Sequence, residues 1–226
     1  MKVTYYGHAC FSVQVANHSL LFDPFITGNE LAKDVDVKRI VADYILVSHG
    51  HMDHTADAAA IAKRTGATII SNYEITVWFG KQGVQKTHAL NHGGSFRFEF
   101  GRVKFVSAIH SSSLPDGAYG GNPGGFVVES TEGNFYYSGD TALTMDMKLI
   151  PESTLLTFAA LPIGDNFTMG VEDAIKAAEF VRCREVLGLH YNTFPPIKID
   201  QVAAIEKFKA ARIHLHLLLP GEAHNF

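Results

Sequence analysis

Four side chains that can bind a metal ion lie within six positions of the sequence, in the segment VSHGHMDHTAD. They are His49, His51, Asp53 and His54. Neutral imidazole and carboxylate groups are good ligands for zinc and related divalent ions. On a loop, His49 and His51 can converge on one ion while Asp53 and His54 turn toward a second. The HxHxDH spacing therefore indicates a metal site with room for two ions.

Four ligands do not complete two metal sites, because zinc binds four ligands and a catalytic site keeps one position for water. Three further candidates each follow an apolar, strand-like segment. His110 ends RVKFVSAIH, Asp140 ends NFYYSGD and His190 ends EVLGLH. Strand ends at one edge of a sheet can meet in a single cleft. The set then comprises five histidines and two aspartates, which suffices for two ions if one carboxylate bridges them.

The segments that must position these residues predict both sheet and helix. Three β-rich runs open the chain, KVTYYG, CFSVQVA and SLLFDP, and predict a meander. The apolar run over residues 41–48 predicts a strand buried on both faces. The alanine-rich segment after the cluster predicts a helix that ends at Gly66. The HxHxDH cluster is therefore expected on a loop between a buried strand and a helix.

The rest of the chain continues this alternation. Strand-like runs recur between residues 67 and 140, so the middle is predicted to be mostly β. After the apolar run LLTFAALPIG come a helix over VEDAIKAAEFV, a strand over EVLGLHYN, a helix over DQVAAIEKFKAAR with Asp200 as its N-cap, and a final strand over IHLHLLL. Two mixed sheets with helices outside would bury all these apolar faces. We expect an α/β fold in one domain over residues 1–226.

Composition limits the classes of protein to consider. Apolar residues make up 46% and charged residues 19% of the 226 positions, which is typical of a globular chain and unlike a disordered segment. The net charge of −4 and the lack of a basic run give no reason to expect nucleic-acid binding. No signal peptide or apolar run of membrane-spanning length is found. We expect a cytoplasmic protein that acts on a small molecule.

The two cysteines and the remaining histidines have simpler interpretations. Cys10 and Cys183 are far apart and lack a CxxC spacing, so we expect buried free thiols. His214 and His216 alternate with apolar residues, which favours a polar outer strand face over a metal-binding pair. The others, expected in turns, on the surface or in the core, are His18, His88, His92 and His224.

The HxHxDH cluster followed in order by His110, Asp140 and His190 resembles the metallo-β-lactamase superfamily. More narrowly, several segments are similar to its metal-dependent hydrolase branch, which is related to the ascorbate-6-phosphate lactonases. They are GHACFSV, LLFDPF, VSHGHMDH, HSSS, GGNPGGFVV, YYSGDT, LPIGDNFTM, HYNTFP and PGE. The similarity covers nearly the whole chain. It implies an αββα sandwich of two mixed β-sheets flanked by helices, with the metal site at one edge.

The resemblance also implies a role for each ligand. One ion would be held by His49, His51 and His110, and the second by Asp53, His54 and His190, with Asp140 bridging the two. A hydroxide held between the ions would be the nucleophile. Asp53 would orient this hydroxide and is the candidate to accept its proton.

Supporting roles have alternatives that the residues alone leave open. Asp23 either begins a turn before Pro24 or, as the resemblance implies, accepts the second N–H of a ligand imidazole. His8 is either an ordinary, partly buried histidine or lines the active site without binding metal. Asn192, with Thr193 and Phe194, is expected to line the cleft. The GGNPGG segment, with Ser111, Ser112 and Tyr119, forms either a plain surface loop or part of the cleft.

The leading hypothesis is a metal-dependent hydrolase with a dinuclear site that cleaves a phosphodiester, a lactone or another ester. The cofactors would be two divalent ions, with zinc preferred and manganese or iron as alternatives. Two other hypotheses are an iron-dependent oxidoreductase on the same fold and a non-catalytic binder of a metal or metabolite. β-Lactam hydrolysis is not expected. Because related lactonases assemble into homo-oligomers, self-association is a further expectation.

Overall fold

Strands with alternating inward and outward side chains form two seven-stranded sheets in the computed structural model, which describes residues 1–226. In chain order the strands are β1 (Lys2–Gly7), β2 (Cys10–Val15), β3 (His18–Phe22), β4 (Tyr44–Leu46), β5 (Thr68–Asn72), β6 (Thr87–Leu90), β7 (Ser95–Phe98), β8 (Gly101–Ser107), β9 (Gly124–Ser130), β10 (Gly133–Tyr137), β11 (Phe158–Pro162), β12 (Glu185–Leu189), β13 (His214–His216) and β14 (Ala223–Asn225).

Five α-helices and four short 3-10 helices connect the strands. The α-helices are α1 (Met52–Thr55), α2 (Ala58–Thr65), α3 (Tyr73–Lys81), α4 (Val171–Phe180) and α5 (Gln201–Ala210). The 3-10 helices are Glu30–Ala32, Val37–Arg39, Met145–Leu149 and Pro195–Ile197. None of the helices combines the length and the apolar composition that crossing a membrane requires.

Both sheets follow the same plan. The first has the strand order β14-β1-β2-β3-β4-β5-β6, and the second has the order β13-β12-β11-β10-β9-β8-β7. In each sheet an antiparallel meander, β1 to β3 or β7 to β10, comes first in the chain. Parallel strands, β4 to β6 or β11 to β13, then extend it. The two halves of the chain therefore repeat one topology, and β14 closes the edge beside β1.

Three apolar clusters hold the layers together. The largest contains 22 buried residues and lies between the sheets, where Phe11 and Phe22 stack with ring centroids 4.5 Å apart. The other two contain 17 buried residues each and lie on the outer faces of the sheets. One outer cluster is covered by α2 and α3, the other by α4 and α5. This layer order confirms the predicted αββα sandwich of two mixed sheets.

Several local predictions are confirmed. Gly66 ends α2 in the left-handed conformation, with φ of 76°. The Asp200 side chain caps α5 by accepting a hydrogen bond of 3.1 Å from the Ala203 N–H. Cys10 and Cys183 are both buried free thiols.

The prediction that the middle of the chain is mostly β was wrong over α3. Asn72 ends β5, and its side chain accepts a hydrogen bond of 2.9 Å from the Ile75 N–H, which starts the helix without an intervening loop. Ile75 and Phe79 then lie one turn apart and are both buried. Because the last residue of the strand is also the N-cap of the helix, no loop separates the strand-like pattern of apolar residues from the helical one.

The boundaries of other elements also differ from the predictions. The strand predicted over residues 41–48 is only β4, because the backbone then bends so that the Ser48 N–H donates to the Asp23 carboxylate at 2.7 Å. Asp53 and His54 lie in α1, not on a loop. Strands β6 and β14 were not predicted, since neither THAL nor AHN alternates clearly. The last strand of the chain is β14, not the segment IHLHLLL.

The core predicts a clear contrast between two leucines. Leu20 is fully buried between the sheets, whereas Leu155 is 78% exposed. Leu20→Ala should lower the free energy of unfolding by about 2–5 kcal/mol through lost burial and a residual cavity. Leu155→Ala should change it by less than about 0.5 kcal/mol. Urea denaturation followed by circular dichroism measures both, and equal losses would contradict the described core.

Candidate metal centre

The candidate ligands follow strands that run in one direction within each sheet. In the second sheet β8, β10 and β12 point the same way and are followed by His110, Asp140 and His190. In the first sheet β1, β3 and β4 point the same way and are followed by His8, Asp23 and the HxHxDH segment. Carboxyl ends of strands are where open α/β sheets bind ligands. The side chains consequently meet at one edge of the sandwich.

A first group consists of His49, His51 and His110, whose ligand atoms all lie within 4.8 Å of one another. The His49 Nε2 and His51 Nδ1 atoms are 3.0 Å apart. His49 is fully buried, and its Nδ1 lies 3.0 Å from Ser48 Oγ. His51 and His110 are half-buried and border the solvent. Three converging imidazoles with one side toward solvent match a metal site that keeps an open position.

A second group consists of His8, Asp53, His54 and His190, again with ligand atoms within 4.8 Å of one another. His190 Nε2 lies 4.0 Å from Asp53 Oδ2. The three histidine side chains are buried, whereas the Asp53 side chain is 25% exposed. The presence of His8 inside this group is a finding that sequence reasoning missed, since it placed His8 only along the wall of the cleft.

Asp140 lies between the two groups. Its Oδ2 atom is 3.0 Å from His190 Nε2 and 3.3 Å from His54 Nε2, both in the second group. The same oxygen is 3.6 Å from His110 Nε2 and 4.0 Å from His49 Nε2, both in the first group. One carboxylate oxygen therefore faces ligand nitrogens from both groups, which is the position a bridging ligand requires.

Asp23 is fully buried and accepts four hydrogen bonds. Ser48 donates from its N–H at 2.7 Å and from its hydroxyl at 2.5 Å. Tyr137 donates from its hydroxyl at 2.5 Å, and the His54 Nδ1–H donates at 2.7 Å. Because the carboxylate only accepts, the hydrogen of His54 lies on Nδ1 and its Nε2 turns toward Asp140. Asp23 therefore contacts the imidazole of a candidate ligand, at a residue where the backbone bends.

His8 is held between Thr193 and Asp53. Its Nε2 lies 3.1 Å from Asp53 Oδ2 and its Nδ1 lies 2.9 Å from Thr193 Oγ1. Burial and the neighbouring His190 lower the pKa of His8 to about 4. The imidazole is therefore neutral near pH 7, with the hydrogen on Nε2, where it donates to the carboxylate. His8 orients Asp53 within the second group.

The charges of the cluster fit a bound cation. Burial disfavours protonated His54, but the carboxylates of Asp140, Asp23 and Asp53 outweigh it and raise the pKa of His54 well above its usual value. Burial likewise disfavours ionised Asp140, yet His190 and His54 hold its pKa well below the usual value. His54 Nε2 is buried and makes no hydrogen bond. A divalent ion would satisfy this nitrogen and the surplus of negative charge together.

Several residues of the centre have a left-handed backbone. Positive φ values occur at His8 (56°), Asp23 (38°), His190 (54°) and Asn192 (60°). Residues other than glycine rarely adopt this conformation, and such strain concentrates at functional sites. Gly139, with φ of 62°, precedes Asp140, and a Cβ there would lie 2.6 Å from the Gly124 carbonyl oxygen. The backbone turns sharply to aim these side chains at the cluster.

Of the residues expected to line the cleft, some hold the backbone of a loop and others face the candidate ligands or solvent. Asn192 accepts a hydrogen bond of 3.0 Å from the Ile199 N–H, so its side-chain oxygen holds the loop after His190. Ser111 Oγ lies 3.3 Å from His51 Nε2 and therefore faces the first group. Ser112 Oγ accepts from the Gly50 N–H at 3.0 Å, which fixes the HxHxDH segment. Tyr119 is exposed, and its hydroxyl donates to Asn122 within the glycine-rich loop.

Sequence reasoning did not identify Ser48 and Tyr137, which both donate hydrogen bonds to Asp23. It expected Thr193 to line the cleft but missed its contact with His8. Ser48 directly precedes the HxHxDH segment, so proximity in sequence was the available signal. Outside the cluster, His214 and His216 both contact Glu185, at 2.8 and 2.7 Å. His92 lies closer to the candidate metal centre, because it lines a groove that His110 also lines.

Comparison with known proteins gives consistent matches. A family model described as the β-lactamase superfamily domain matches residues 2–190. A UPF0173 metal-dependent hydrolase of Christiangramia forsetii is 54% identical over 224 residues, which cover 99% of this chain and 99% of that protein. Another UPF0173 metal-dependent hydrolase, from Thermus thermophilus, is 46% identical over 98% of this chain and 97% of that protein.

A solved structure extends the match to the full length of the chain. Igni18, a metallo hydrolase from the hyperthermophilic archaeon Ignicoccus hospitalis, superposes with a TM-score of 0.88 at 33% identity. The match covers 100% of this chain and 98% of that one. The chain therefore belongs to the metallo-β-lactamase superfamily, among the UPF0173 metal-dependent hydrolases.

Proposed function

We propose that the protein hydrolyses an ester-type bond, in a phosphodiester, a lactone or another ester, with two divalent ions bound in the centre. The observation that carries this proposal is the position of Asp140 Oδ2 within 4.0 Å of four imidazole nitrogens, two from each group. A site for a single ion would need no carboxylate between two separate sets of ligands. Zinc is the preferred ion for this histidine-rich set, and manganese or iron are alternatives.

Most residues of the centre would bind the ions, and Asp53 would also transfer a proton. One ion would be held by His49, His51 and His110, and the other by Asp53, His54 and His190. Asp140 would bind both ions. Two ions bound there would lower the pKa of a shared water toward 7 and polarise the bond to be cleaved. His54 is kept in place for this by Asp23, which receives the hydrogen of its other nitrogen.

In this proposal, Asp53 receives a proton from the attacking water. Of the two carboxylates in the centre, Asp140 is almost fully buried while the Asp53 side chain is 25% exposed. His8 occupies Asp53 Oδ2, and no side chain hydrogen-bonds to Oδ1. Burial opposes ionisation of Asp53, but His54 and His8 lower its pKa well below the usual value, which keeps it ionised. Oδ1 can then accept a proton and pass it to the leaving group.

The bridging arrangement predicts different metal losses for two variants. Asp140→Ala should reduce binding of both ions, because the carboxylate belongs to both groups. His110→Ala should mainly reduce binding of one ion, since this histidine belongs to the first group alone. Mass spectrometry of metal content after loading and desalting measures both, with about two ions expected per wild-type chain. Full metal occupancy in both variants would contradict the dinuclear site.

Asp53→Asn separates catalysis from folding. The amide keeps the size of the side chain but cannot accept a proton, so kcat should fall by at least about 100-fold. The midpoint of thermal unfolding should change little, because the Asp53 side chain is partly exposed. The comparison requires a substrate that the wild-type protein hydrolyses in a metal-dependent way. An unchanged kcat would contradict the proposed role of Asp53.

Two neighbouring tyrosines provide a matched test of how His54 is held. Tyr137 donates to Asp23, whereas the hydroxyl of Tyr136 is buried without a partner. Tyr137→Phe should weaken binding of the second ion by about 10–100-fold, as removal of outer hydrogen bonds to metal ligands does. Tyr136→Phe removes the same atom from the neighbouring position and should leave affinity unchanged. Competition with a fluorescent chelator measures both, and equal effects would count against the Asp23 network.

A further inference from the structure

The five segments that border the metal centre contain no lysine or arginine. All 19 basic residues of the chain lie outside these segments, which are residues 48–57, 108–125, 138–147, 163–170 and 190–197, and Lys148 and Lys198 directly follow two of them. Exposed acidic residues do occur there, at Asp116, Asp146 and Asp165. Beyond the ions themselves, an anionic group of a bound substrate would therefore find carboxylates and no cationic partner. Such a group would lose hydration without compensation.

Large apolar side chains are exposed on the same segments. Met52 and Ile109, which are next to His51 and His110 in sequence, are 61% and 58% exposed. Tyr119 is 65% exposed on the loop that packs against the HxHxDH segment. Clustered exposed apolar residues mark a binding surface more often than isolated ones do. These side chains, together called the apolar border, lie on segments that carry the ligands of the first group or pack against them, and Ile109 lines the same groove as His110.

Two phenylalanines extend the apolar border to segments that adjoin the second group, Phe194 beside His8 and Phe167 on a neighbouring loop. The loop that carries Phe167 is fixed at both ends, since the Met169 N–H donates to Thr141 and Gly164 packs against His190. A Cβ on Gly164 would lie 2.1 Å from the His190 carbonyl oxygen. Phe167 is 53% exposed on this loop. The Phe194 ring lies 5.4 Å from the His8 ring.

A groove beside His110 offers space for an apolar substituent. It is open to solvent, has a volume of about 360 Å³, and is lined by Ala108, Ile109 and Pro123 together with the polar residues His92, Ser107, His110, Asn122 and Asp146. Through Ser107 and Asp146 it adjoins a crevice of about 130 Å³, in which 6 of the 12 lining residues are hydrophobic, among them Val106, Val127 and Ile150. Lys104 also lines the crevice, whereas no lysine or arginine lines the groove itself.

We propose that the substrate is an uncharged carboxylic ester or lactone with an apolar substituent, and not a phosphodiester or a phosphorylated lactone. This inference rests on the proposed hydrolase function and narrows its substrate class. Water adds through its oxygen to the carbonyl carbon, and the bond from that carbon to the alkoxy oxygen breaks. One hydrogen of the water goes to the leaving alcohol, and the other is released as a proton from the acid. The apolar substituent lies along the groove beside His110.

Three nitrophenyl substrates test the inference on the metal-loaded protein. They are 4-nitrophenyl butyrate, the mono-4-nitrophenyl ester of succinate, and bis(4-nitrophenyl) phosphate. The first two differ by a terminal carboxylate in place of a methyl group. We expect kcat/KM for the butyrate to exceed the values for both anions at least tenfold. Equal or faster hydrolysis of either anion overturns the substrate class and leaves the hydrolase function standing. Absence of metal-dependent hydrolysis of all three contradicts the hydrolase function itself.

Variants of the apolar border provide a matched control. Ile109→Lys supplies the missing cation and should raise the succinate-to-butyrate ratio of kcat/KM at least fivefold, and Phe167→Lys serves if the first variant does not fold. Val202→Lys, at a 68% exposed position on α5, should leave the ratio unchanged. Calorimetric binding of 4-nitrobutyranilide and its succinic acid counterpart gives a readout independent of turnover. An unchanged ratio in both border variants overturns the inference.

Discussion

The buried carboxylate of Asp23 links every layer that builds the metal centre. It follows β3 in the first sheet and accepts hydrogen bonds from Tyr137 at the end of β10 in the second sheet. It also accepts from Ser48 and His54 in the segment that carries four candidate ligands. A buried carboxylate with fewer donors would cost several kcal/mol. The distance between the sheets and the orientation of His54 are therefore fixed by the same set of hydrogen bonds.

Outside this carboxylate, the centre changes from charged to apolar over a short distance. The ligands gather negative charge around Asp140, while the residues beside them in sequence, such as Met52 and Ile109, expose apolar side chains. Divalent ions would neutralise the inner carboxylates, and the outer surface would then discriminate by shape and hydration instead of charge. The proposed chemistry and the proposed selectivity of the site would thus depend on different residues, although these residues lie on the same segments.

Much of this organisation follows from the sequence, because metal ligands are distinct residue types at short spacings. The HxHxDH cluster and the strand ends at His110, Asp140 and His190 were sufficient to predict one cleft, and the apolar strand-like and helical segments predicted two mixed sheets. The roles of Tyr136 and Tyr137 were not predictable, because only the pleat of β10 decides which of two adjacent tyrosines faces Asp23. The helix α3 and the place of His8 depend in the same way on tertiary contacts that no local pattern encodes.

The repeated topology of the two halves would make the amount of the protein in the cell depend on metal. The first half contributes the HxHxDH ligands and the second contributes His110, Asp140 and His190, so bound ions would join the halves. Ligands that bind only the folded state stabilise it by mass action, by about 2.7 kcal/mol at a concentration 100 times their Kd. Scarcity of metal would then increase the fraction of chains that open and reach proteases. Abundance, and not only activity, would follow the metal supply.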